Sequence, residues 1–315
     1  MINVHFASNA EAKEILLSSD RYFEMMNPFE RAVRMDVPYN PDTPISCETF
    51  GQYAVPHIVE WQERHKATVQ KFVSRVGEAL QSIGFKGKFP DRVTFILTNG
   101  KEDIRECAGY CRKNTVVLNT GALSEARMNF YAHELFHIFS QNNPELRDSL
   151  YNYLGFHRCN EVDLPDDVKA ITLTNPDAPN HDVYIDVRLP AKEKDEQHDT
   201  AGTTIRCTPV LFYNRDGYGS FFSKLYIRLV RINQGSDGVY RAVVEDGKCV
   251  MYKVEEVENF FEQIGKCQYY FHPDEILATR FANIVVSSTY SNWELSNDRY
   301  DRNIQTTLFK EISSN

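Results

Sequence analysis

The chain has 315 residues, 42% of them hydrophobic and 12% aromatic, enough to bury a sizeable core and to exclude wholesale disorder. A net charge of −9 without any Lys- or Arg-rich cluster argues against binding nucleic acid through phosphate neutralisation. No secretory signal and no membrane-length apolar run are visible, and the seven cysteines are scattered and odd in number. The expectation is therefore a soluble protein of a reducing cytoplasm, or one exported without a cleavable signal, with no membrane partner.

Taken along the chain, residues 8–35 place Leu16, Leu17, Tyr22, Phe23, Met26 and Phe29 on one broad helical face. A proline-containing loop from Val37 to Pro44 follows. A long helix is predicted from about His57 to Ile83, carrying Trp61, Val69, Phe72, Val73, Val76 and Leu80 at helical spacing, and Gly84 to Pro90 ends it. Val93 to Leu97 and Thr115 to Asn119 read as buried strands, the second leading through Gly121 into a further helix. That helix has Ser124 as its expected N-cap and ends at Asn142-Asn143-Pro144.

Within it lies His133-Glu134-Leu135-Phe136-His137. Residues four apart on an α-helix share a face, so two imidazoles at this spacing can bind one Zn²⁺. The glutamate between them is left beside the metal-held water as a base. A strand entering the helix is expected to offer its edge to an extended substrate backbone.

Pro144 starts a short helix through about Leu154. The stretch 169–254 is expected to be β-rich, with strands at Ala170 to Leu173, Val183 to Leu189, Thr204 to Phe212, Leu225 to Ile232, Val239 to Val244 and Cys249 to Val254. Gly235-Ser236-Asp237-Gly238 and Asp246-Gly247 supply turns, and the charged run Ala191 to Asp199 reads as a solvated loop. There is no repeat and no clear linker. The expected organisation is an α+β fold, with a helical N-terminal region (1–90) packed on a catalytic domain (91–315) as one integrated unit.

Two histidines leave a zinc site one protein ligand short. A metzincin would continue with glycine at position 140 and histidine at position 143, where this chain has Ser140 and Asn143. A glutamate from a second helix is the alternative, and His272-Pro273-Asp274-Glu275-Ile276-Leu277-Ala278 offers one. Pro273 suits a first helical position and Asp274 the positive helix end. Glu275 sits among apolar residues, where a carboxylate is rare unless paired or bound to metal. Glu161 is the rival ligand, in a segment that reads as loop.

The pair of motifs, Tyr131 to His137 and His272 to Ala278, resembles a gluzincin-type zinc metallopeptidase, closest to bacterial proteins that combine HExxH with a distant HPxEILA helix. The resemblance covers some twenty residues. It implies a zincin-like core holding Zn²⁺ through His133, His137 and Glu275, with Glu134 as catalytic base, a peptide or protein as substrate, and a β-rich insertion between the metal-binding helices. Two features depart from the thermolysin-like pattern. Thr279 stands where an aspartate often orients a histidine ligand, and the interval between motifs is longer.

A peptidase also needs an oxyanion donor, for which Tyr151, Tyr153, His157, Tyr269, Tyr270, His272 and Tyr290 are eligible by chemistry. His272 reads as a helix cap, His157 as a loop histidine, and Cys107 and Cys111 as structural thiols. The rivals to a peptidase are a degenerate zincin that binds a partner without cutting it, and a toxin or effector protease with one protein target.

Overall fold

The computed structural model describes residues 2–103, 107–124, 127–190, 202–290, 294 and 296–309; the expected solvated loop from Ala191 to Asp199 lies outside them. After strand β1 (Val4–Phe6) the predicted N-terminal helical stretch is three helices, α1 (Asn9–Leu17), α2 (Arg21–Met25) and α3 (Pro28–Arg34). The breaks fall where Ser8, Asp20 and Asn27 turn their side chains onto backbone N–H groups at the helix starts. Helix α4 (Cys47–Ala54), capped by Ser46, was not anticipated.

The long helix begins later than predicted, as α5 (Glu63–Ser82). Residues 57–59 are instead drawn alongside strand β2 (Val93–Thr98): Val59 N–H donates to the Leu97 carbonyl and Asn99 N–H to that of His57. Pro56, inside the 3₁₀ turn Val55–His57, also interrupts helical pairing.

The first sheet adds β3 (Gly109–Arg112) and β4 (Thr115–Asn119) in the order β1-β2-β4-β3, with β3 alone antiparallel. It is covered on both faces. Phe95, Leu97 and Val116 join the main core, while Ile96 and Val117 point the other way onto Ala12, Leu16 and Ala54. The chain then passes through α6 (Thr120–Ser124) into α7 (Met128–Asn142) and α8 (Pro144–Tyr153). Ser124 therefore closes α6 rather than capping α7, whose N-cap position is Arg127 and makes no side-chain cap bond.

The β-rich stretch forms a second, antiparallel sheet. Its strands are β5 (Phe156–Arg158), β6 (Val183–Arg188), β7 (Thr204–Tyr213), β8 (Leu225–Gln234), β9 (Tyr240–Ala242) and β12 (Met251–Tyr252), in the order β12-β8-β7-β6-β5 with β9 also on β8. β10 (Val244–Glu245) and β11 (Lys248–Cys249) form the small hairpin expected at Asp246-Gly247, both of which adopt the positive φ its turn requires. His157 lies on β5, not in a loop.

Ala170 to Leu173 is not a strand. It follows α9 (Asp166–Lys169), and the Asn27 carboxamide binds the Lys169 and Thr172 carbonyls, which closes a turn and leaves a single bridge from Thr172 to Phe212.

Helices α10 (Phe260–Ile264), α11 (Pro273–Ser287) and α12 (Arg299–Leu308) complete the chain. α7 and α11 pack through Phe136, Phe139 and Phe281, with Phe136 and Phe281 ring centroids 5.2 Å apart. The class is α+β as expected. All seven cysteines are free thiols, and among the described residues no helix is long and apolar enough to cross a membrane.

Candidate metal centre

Helix α7 presents His133 and His137 one turn apart, with their Nε2 atoms separated by 3.1 Å. Packing of α11 across α7 brings in Glu275 from its first turn. Glu275 Oε2 lies 3.3 Å from His133 Nε2, and Oε1 lies 3.7 Å from His137 Nε2. These three residues, far apart in the chain, form a group that could hold a metal ion. His137 is fully buried, whereas the His133 side chain is 20% exposed and opens the group to a cleft.

Each member is braced. His137 Nδ1 meets Asp274 Oδ2 at 2.7 Å, and Asp274 also accepts hydrogen bonds from Tyr151 Oη at 2.8 Å and Ser140 Oγ at 3.1 Å. Asp274 thus orients the His137 ring, while the buried Thr279 hydroxyl on the same helix has no hydrogen-bond partner among the described residues. Glu275 Oε1 accepts from Asn175 Nδ2 at 2.8 Å. His272 caps α11 as predicted, its Nδ1 accepting from Asp274 N–H at 3.1 Å.

The field at the group follows from burial and charge. Burial would raise Glu275, but His137, His133 and the Asn175 hydrogen bond overcome it and hold the carboxylate at about 2. Burial would lower His137, and Asp177, Glu275 and Asp274 instead push it well up. For Glu134 burial prevails, raising its carboxyl with help from Glu275 against the pull of His133 and His137.

Glu134 is buried on the inner side of α7, facing strand β3. Its Oε2 lies 3.4 Å from Cys111 Sγ, and Cys111, Glu134 and Asp177 form a second close group. β3, not β4, is the sheet edge beside the centre, which corrects the expectation that the strand entering the helix offers the edge. Two edge groups already have partners: Cys111 N–H donates to Asp177 Oδ1 at 2.6 Å, and the Gly109 carbonyl accepts from the Cys107 thiol.

No family model, curated protein or solved structure matches this chain. The reading therefore rests on the site itself.

Of the other candidates, Tyr269 lines the cleft with His133, Glu134 and Glu275. Tyr151 is committed to Asp274 and His157 bonds Asn152. Glu161 pairs with Arg21 and His181 and takes no part in the cluster. The bracing role of Asp274, and the presence of Asn175, Asp177 and Cys111, were missed. A second carboxylate beside Glu275 in an apolar helix was a signal for Asp274; nothing in the sequence marks Asn175 or Asp177, which arrive by a long connection.

Proposed function

We propose that the protein is a zinc-dependent peptidase with a zincin-like core, in which His133, His137 and Glu275 hold the metal and Glu134 is the general base. The observation that carries this is the donor geometry. The two imidazole Nε2 atoms lie 3.1 Å apart, close to the edge of about 3.3 Å expected for a tetrahedron with metal–ligand bonds of about 2.0–2.1 Å, and one ligand atom from each of the three residues lies within 4.8 Å of the others. Two imidazoles and a carboxylate, with His137 fixed from behind by Asp274, are a donor set that would suit zinc, and His133 and Glu275 face the cleft from which water and substrate would approach.

Zinc held by His133, His137 and Glu275 would supply Lewis acidity toward a carbonyl and a water molecule. Glu134 then accepts the attacking water's proton and returns it to the departing amine. A carboxyl raised by burial is shifted in the direction that work requires. Asn129 and Tyr269 line the same cleft and flank the space a peptide would enter.

A second reading, a protease confined to one protein target, is favoured by the Asp177 carboxylate on the edge N–H of Cys111. A generic extended peptide must displace it in order to pair there. A partner-binding protein without activity leaves the buried Glu134 unexplained.

Cleavage of a mixed peptide substrate by wild type and Glu134→Gln tests the proposal. The variant keeps its metal and loses at least about a hundredfold in rate. An unchanged rate removes Glu134 as base.

A further inference from the structure

The cleft at the metal centre does not end at the metal-binding residues. It is a cavity of about 360 Å³ whose lining includes two chemically distinct groups. One is His133, Glu134, Asp177 and Glu275. The other is apolar: Leu211 and Leu225 on β7 and β8, Phe221 and Phe222 between those strands, and Tyr269 and Phe271 on the segment leading into α11, all but Phe221 also lining a second cavity together.

None of these six side chains carries a charge. Arg34, which reaches the same cavity, already has its charge balanced by Glu30 and Asp103. A cationic or acidic side chain entering the apolar part would lose its hydration with no partner to replace it. Part of the wall stays accessible: Phe222 is 40% and Tyr269 45% exposed. A volume of this size lies at the small end of ligand sites and suits one large side chain with its flanking backbone.

We propose that this chamber is the substrate's side-chain subsite, selecting a large apolar residue, aromatic above all, next to the bond that is cut. The inference rests on the peptidase reading for its chemistry, but the chamber's preference is a binding property. It places specificity in the second sheet: β7, β8 and their connection build the wall, while α7 and α11 hold the metal.

Direct binding of blocked single-residue amides to zinc-loaded Glu134→Gln protein, followed by calorimetry, tests it. N-acetyl-phenylalaninamide is expected to bind about ten- to a hundredfold more tightly than the lysine or aspartate analogue. Leu211→Trp, which fills the chamber, and Phe222→Asp, which places a charge on its exposed rim, should each abolish the preference while zinc content stays at the wild-type level. Equal binding of the phenylalanine and lysine amides, or a preference that survives both substitutions, overturns the proposal. Selective binding without any cleavage by the wild type upholds the chamber and overturns the peptidase reading alone.

Discussion

At His137 the imidazole is clamped between two carboxylates, with Asp274 on Nδ1 and Glu275 facing Nε2. Hydrogen bonds from Tyr151 and Ser140 hold Asp274 in turn, so the ring has one orientation and Nε2 stays directed at the cluster. Asp274→Asn removes the charge while keeping the shape. It should weaken metal affinity about 10- to 100-fold in competition with a chromophoric chelator. Unchanged affinity would show that Asp274 only favours the positive end of the helix, which is all the sequence assigned to it. That assignment had the right helix and the wrong reach: the first-turn side chain extends across to α7, a relation no spacing within α11 reveals.

His272, two residues earlier, gives a pH test. Burial, aided by Arg158, depresses its imidazole to about 4 against the pull of Asp274, Asp182 and Glu275. The unfolded chain binds a proton near pH 6.5 that the folded chain refuses, so stability is full above that value and falls as pH drops toward 4. Between pH 7 and pH 5 the wild type should lose roughly 2 kcal/mol more than His272→Asn, which can still cap the helix, in paired denaturant titrations. Parallel curves would refute the buried, neutral state.

Among the elements, α3 acts on the centre from a distance. Arg34 lies between Glu30 and Asp103, all three nearly inaccessible, and Glu30 accepts from both the backbone and hydroxyl of Thr174 at 2.8 Å. Thr174 is followed by Asn175, which holds Glu275. The α3 ion cluster therefore fixes the connection that braces the metal group. Arg34→Met would leave two buried carboxylates without their partner, and a loss of about 3–5 kcal/mol is expected on denaturant unfolding. A loss under about 1 kcal/mol would mean that water or rearrangement compensates. Local signals located α7, α11, β2 and β4: motif spacing and end-forming residues for the two helices, short apolar runs for the two strands. They did not reveal the order of strands in the sheet, so the four-residue β3 went unseen and the edge was assigned to its neighbour. Residues 57–59 misled for a related reason: pairing to β2 overrode their helical pattern.

For the molecule as a whole, one buried cluster runs from Ile2 through Val73, Phe95, Phe136, Ile185 and Phe281 to Phe309, joining both sheets to the crossed helices. The two halves of the candidate site are 137 residues apart at His137 and Asp274, and this shared core sets their separation. That is why the residue types were legible in the sequence while their bracing was not: the first depends on local spacing, the second on how the core closes. Zinc content after exhaustive dialysis, measured by plasma mass spectrometry on wild type and Glu275→Ala together, tests the central claim. The account predicts near one equivalent in the wild type and a marked loss in the variant; a wild type without zinc after incubation with it, or a variant that retains it fully, would contradict it.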